Sequence, residues 1–187
     1  MRALEDFIKE YVPMPEVDLA HITKRFKCKV VKKDDYLLIP GNVCKDFIFV
    51  QSGCLRMYFI KGGIEISIWF AFADSVASEI HSFISEEPSR YFVQAIEDSE
   101  LLFISKNQLN ELYVTHPLMQ EMMRKFWEGI LIHIIDRFSS LQNDTAKERY
   151  LNLLNTPEYL QKIPQKYLAS FIGITPTSLS RLRRQIT

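Results

Sequence analysis

Groups able to recognise a polyanion are concentrated in the last quarter of the chain. From Gln161 to Thr187 there are five basic residues, Lys162, Lys166, Arg181, Arg183 and Arg184, and no acidic one. The 187-residue chain is formally neutral, so residues 1–160 carry −5. Distribution bears on partners more than the total does. A guanidinium carries paired donors that match guanine O6 and N7, while hydroxyls suit base edges or phosphate oxygens. Arg181 is therefore the leading base-reading candidate, with Thr177, Ser178 and Arg184 along the same side. Pro176 and Thr177, near the start of that helix, are placed to meet a thymine methyl. Lys162, Lys166, Tyr167 and Arg183 suit phosphate contacts, which set register and affinity without reading sequence.

Such side chains need two short helices crossing at a tight turn, and the turn needs particular sizes at particular places. Ala169 is small where the second helix must approach. Gly173 stands where the first helix ends and a positive φ costs little. Leu168, Ile172, Ile174, Leu179 and Leu182 supply a small shared core. Thr175 fits the N-cap of the second helix and is a further DNA-contact candidate, and Pro176 fits the first helical position because it has no amide hydrogen to lose. An ordinary helical hairpin with a solvated basic side would explain the charge but not this set of sizes. Residues 165–183 thus predict a helix-turn-helix, with double-stranded DNA as partner.

The rest of the chain must hold and regulate that motif. Leu4, Phe7, Ile8 and then Leu19, Ile22, Phe26 have helical spacing, broken by Pro13 and Pro15 into two short helices. From Lys29 to about Ser105 short strands alternate with turns: 36–39, 47–50, 55–59, 64–72, 91–95 and 100–104, with Gly41, Gly53 and Gly62-Gly63 between them. That pattern predicts an antiparallel roll or barrel. A short helix over 107–114 follows, and then a long one over 118–141, where Met119, Met122, Phe126, Ile130, Ile134, Phe138 and Leu141 recur every three or four residues. Leu118, Met123, Trp127, Leu131, Ile132 and Ile135 widen the apolar surface beyond one stripe. One face can pack on the roll and another on a second subunit, which predicts a homodimer.

No run approaches the roughly 20 apolar residues of a bilayer span. Met1 to Asp6 also lacks the basic head of a signal peptide, so a cytoplasmic location is expected. Cys28, Cys44 and Cys54 form no CxxC pair and are expected to be reduced and packed inside. His21, His81, His116 and His133 are scattered, and no metal set is expected. Glu65, Asp74, Glu79 and His81 read as turn and surface residues rather than as a catalytic cluster, and neither a phosphate-binding glycine loop nor a nucleophile–base pair appears. No catalytic residue, and no enzyme, is expected.

Taken together, the leading helices, the glycine turns of the roll, the long helix and the 165–183 motif resemble the Crp/Fnr family of transcription regulators. The resemblance implies an α+β chain: a double-stranded, jelly-roll-like β-roll sensor over 1–115, a long dimerisation helix over 116–143, and a winged helix-turn-helix over 144–187. It implies a dimer on palindromic promoter DNA, with RNA polymerase as a further candidate partner. Nucleotide-binding members carry a Gly-Glu pair for the ribose and, about ten residues later, an Arg-Ser or Arg-Thr pair for the cyclic phosphate. Here these positions read Ser78-Glu79 and Ser89-Arg90. The arginine is displaced by one residue, which on a strand turns a side chain to the opposite face. Ser78, Glu79, Ser82, Ser89 and Arg90 are thus a candidate pocket for an unidentified small-molecule effector, with cyclic AMP disfavoured. The cysteine cluster of the oxygen-sensing branch is missing, and no cofactor is evident. The family's Arg-Glu-Thr and later Arg on the reading helix are here Pro176-Thr177-Ser178 and Arg181, so the operator should differ. The competing reading is a small-molecule-binding module whose helix-turn-helix serves protein contact.

Overall fold

The computed structural model describes residues 1–186, so Thr187, the end of the expected third segment, lies outside the described residues. Two compact units appear, one of residues 1–57 with 70–130, the other of residues 58–69 with 131 onward.

In the first unit, α1 (Arg2–Tyr11) buries Leu4, Phe7 and Ile8, one stripe at helical spacing. Pro13 and Pro15 separate it from α2 (Glu16–Thr23), which buries Leu19 and Ile22. The strands are β1 (Lys27–Val31), β2 (Tyr36–Leu38), β3 (Asp46–Ser52), β4 (Cys54–Lys61), β5 (Ile64–Phe72), β6 (Ser75–Val76), β7 (Phe92–Ala95) and β8 (Ser99–Ser105). They form two four-stranded sheets, ordered β1-β8-β3-β6 and β2-β7-β4-β5. β8 lies antiparallel to both neighbours, with Phe49 opposite Leu102 and Val30 opposite Glu100. Phe47, Phe49, Leu55, Leu101, Leu102 and Ile104 are fully buried, and Phe47 and Phe49 meet the rings of Phe126 and Phe7 on the helices. Gly53, at φ +99°, turns β3 into β4 so closely against β8 that any Cβ would run into Ser99.

The roll expected from the turn spacing is therefore present, with additions. β1, β6 and the helix α3 (Ile80–Ser85) fill stretches where no periodicity was visible. Cys44 and Cys54 are buried free thiols, and burial pushes the Cys44 thiol up to about 11. Cys28 differs from expectation and is exposed, because β1 is an edge strand with only Val31 buried.

A capping box built by Ser105 and Gln108 starts α4 (Lys106–Thr115), and Pro117 opens α5 (Pro117–Asn143). The first half of α5 buries Met119, Met122, Met123 and Phe126. Phe126 packs with Phe7 at 5.8 Å and Trp127 at 4.7 Å between ring centroids.

The second unit holds the tip of the β4–β5 hairpin, the second half of α5, and α6 (Ala146–Leu153), α7 (Glu158–Lys162), α8 (Gln165–Phe171) and α9 (Pro176–Ile186). Thr145 and Glu148 form the capping box of α6. These C-terminal helices are consistent with a winged helix-turn-helix, although no strand follows Ser105 among the described residues.

Candidate nucleic-acid interface and sensor cavity

The 165–183 motif folds as its residue sizes require. Leu168, Ala169 and Leu179 are completely buried, Phe171 and Ile172 nearly so, and Ile174 and Leu182 half-buried. Gly173 has φ +79°, and the Ile174 amide donates to Ala169 O at 3.0 Å, the long-range bond of a Schellman turn. Thr175 caps α9 by accepting from the Ser178 amide at 3.1 Å, and the two hydroxyls meet at 2.9 Å. Gln165 Nε2 ties the helices together, donating to Pro176 O at 3.1 Å and Ser180 Oγ at 2.5 Å.

This packing turns Thr177, Arg181 and Arg184 outward at positions one and two turns apart, hence on one stripe. Lys162, Lys166, Thr175, Pro176 and Ser178 are exposed as well. Two of the expected contact residues are placed differently: Tyr167 is half-buried, and Arg183 is half-buried with its guanidinium 5.7 Å from the Tyr150 ring. Lys166 sits 5.6 Å from the Tyr167 ring and 3.9 Å from a carboxylate oxygen of Glu65 on β5.

Sequence reasoning missed the role of that strand. Glu65, Ser67 and Trp69 alternate along β5 and so share a face. The Ser67 amide donates to Ser170 Oγ at 3.1 Å, the two hydroxyls lie 2.8 Å apart, and Trp69 meets the His133 ring edge-on at 5.0 Å. Also missed were the arginines at the base of the motif. Arg137 Nη2 donates to Phe171 O at 2.9 Å with its guanidinium 3.6 Å over the Phe171 ring. Arg149 donates from Nε to Ile172 O at 2.8 Å and from Nη1 to Asp144 O at 2.5 Å.

The proposed effector residues of the roll are brought together only in part. Ser78, Glu79, Ser82 and Ser89 are buried, whereas Arg90 is exposed. Ser78 Oγ accepts from the Ile48 amide at 2.8 Å. Glu79 is the N-cap of α3, its two oxygens accepting from the His81 and Ser82 amides at 3.0 and 3.1 Å. Ser82 Oγ accepts from the Cys44 amide and donates to Glu87 O, and Ser89 Oγ accepts from the Tyr91 amide at 3.0 Å. The cavity beside Glu79, walled by Leu38, Cys44, Ile48, Ala77 and Val93, holds about 160 Å³. Arg56, on β4, is wholly buried; a charge within a strand of otherwise apolar inward residues was the available signal. Among the described residues no group of three or more His, Cys, Asp or Glu is placed to hold a metal ion, and no helix is long and apolar enough to cross a membrane.

Residues 28–116 match the cyclic nucleotide-binding domain family. In fold the chain resembles the Crp/Fnr regulators. Against a transcriptional regulator of the Crp/Fnr family from Eubacterium rectale, the TM-score is 0.68 at 17% identity, covering 95% of this chain and 87% of that one. FixK2 from Bradyrhizobium japonicum gives 0.75 at 18%, covering 86% and 84%. The c-di-GMP-responsive global regulator CLP of Xanthomonas campestris gives 0.70 at 15%, covering 92% and 91%. No curated protein sequence matches the chain. At these identities the likeness is one of fold: a β-roll, a long helix and a terminal helix-turn-helix. The Xanthomonas and Eubacterium proteins are themselves regulators.

Proposed function

We propose that this chain is a sequence-specific, DNA-binding transcription regulator that acts as a homodimer on palindromic promoter sites. The observation that carries the reading is the outward stripe of Thr177, Arg181 and Arg184 on α9, seated on a core closed by Leu168, Ala169 and Leu179. Arg181 reads a base edge from the major groove, and Lys162 and Lys166 contact phosphates. Dimerisation places two copies of α9 for the two halves of a palindrome, and promoter sites bring RNA polymerase within reach. A cytoplasmic location accords with such a target.

The sensor roll, in this reading, does not take cyclic AMP. Both Glu79 oxygens are already occupied by backbone amides, and Ser89 stands where a phosphate-binding guanidinium is needed. The cavity of about 160 Å³ is also smaller than the roughly 300 Å³ at which small-molecule pockets begin. Any effector is a different small molecule.

Selection of duplexes from a random-sequence pool by the full chain tests the proposal. The expected product is a palindromic motif, and Arg181→Ala should lose about 1–3 kcal/mol of discrimination at one base pair per half-site while still binding DNA. Recovery of no motif by the wild-type protein overturns it.

A further inference from the structure

Polar contacts span the junction where α5, α6 and α8 meet. A cleft of about 430 Å³ opens there, lined among others by Arg137, Ser140, Asp144, Arg149, Tyr159 and Phe171. The last carbonyls of a helix have no partner within it, and cationic donors suit that end. Both arginines go to such carbonyls. Arg137, on α5, takes Phe171 O at the end of α8 and covers the Phe171 ring at 3.6 Å; that ring in turn stacks on Tyr159 at 5.5 Å. Arg149, on α6, takes Ile172 O beyond the end of α8 and Asp144 O beyond the end of α5, so one planar guanidinium spans two helix ends. Ser140 Oγ donates to the Asp144 carboxylate at 2.5 Å, which secures the same corner. Burial lowers the Arg137 guanidinium to about 10, leaving it charged at neutral pH. A lysine in either place cannot reproduce a fork that fixes two directions at once.

We propose that Arg137 and Arg149 are positioning residues that fix the angle of the α8–α9 pair on the end of α5, and thereby determine the spacing between half-sites that the dimer accepts. The inference rests on the DNA-binding homodimer proposed above. Half-site spacing follows from the separation and orientation of two reading helices. Loosening the angle should broaden spacing without altering what Arg181 reads, whereas a merely structural defect weakens binding to every spacing alike.

The test uses the full chain and a duplex library in which the selected half-sites are constant and the spacer varies one base pair at a time. The wild-type protein should prefer one spacer over its neighbours by about tenfold or more. Arg137→Gln and Arg149→Gln should keep the half-site sequence yet bring neighbouring spacers within about threefold. Arg149→Lys, which keeps charge and aliphatic stem and so protects folding, should behave as the glutamine variants do. Unchanged spacer preference in a folded Arg149→Lys protein overturns the inference and leaves the regulator reading standing. Absence of any half-site motif with wild-type protein overturns both.

Discussion

Glu79 is a buried carboxylate whose two oxygens each accept an amide hydrogen from the first turn of α3. A buried acid is tolerable only with such partners, and anions are favoured at a helix start. Glu79→Ala should therefore lower unfolding stability by about 1–2 kcal/mol in urea titrations. It should leave DNA affinity unchanged while the protein is folded. A variant as stable as wild type would remove the capping role and reopen Glu79 as a ligand for an effector. The residue shows where sequence reading ran out. Its place by analogy with a ribose-binding glutamate was visible, but a helix of six residues has too few turns for periodicity to announce that one begins there. Gly173, Thr175 and Pro176 were legible because each answers a purely local backbone requirement. Arg137 and Arg149 were not, since their acceptors are carbonyls 34 and 23 residues away in the chain.

At the scale of elements, α5 changes character along its length. Its first half buries Met119, Met122, Met123 and Phe126, while Leu131, Ile132, Ile134, Ile135, Phe138 and Leu141 remain 45% to 62% exposed. Fully burying an aliphatic or aromatic side chain is worth about 1.5–3 kcal/mol, so six on one helix are a strong incentive to pair. Ile135→Asp combined with Phe138→Asp should convert a dimer into a monomer in sedimentation analysis, with little loss of monomer stability because both side chains are already wet. A wild-type protein that is itself monomeric at concentrations where it binds palindromes would refute the pairing. The long helix was readable from sequence because its apolar spacing persists for about six turns. β1 and β6 were not: four of the five β1 residues are exposed, and β6 has two residues. Neither length nor alternation distinguishes such strands from loop.

Charge is a property of the whole molecule, and here the neutral total conceals a +5 segment on a −5 remainder. Each phosphate neutralised by the protein releases condensed counterion, so log affinity falls linearly with log salt by about 0.9 per contact. Lys166 is a phosphate-contact candidate whose ammonium in the free chain lies 3.9 Å from the Glu65 carboxylate, the lysine exposed and the glutamate half-buried. A pair at that distance with its lysine in solvent contributes at most about 1 kcal/mol, so a phosphate can displace the carboxylate readily. Lys166→Ala should therefore reduce the salt slope by about 1 and weaken binding to all duplexes alike, with the selected motif unchanged. Arg181→Ala should show the opposite division, altering the motif at one position. Measuring affinity for cognate and unrelated duplexes over a range of salt concentrations separates the two. If Lys166→Ala alters the motif and leaves the slope intact, the basic segment is reading bases where it was assigned to phosphates, and the partition of contacts along α8 and α9 must be reversed.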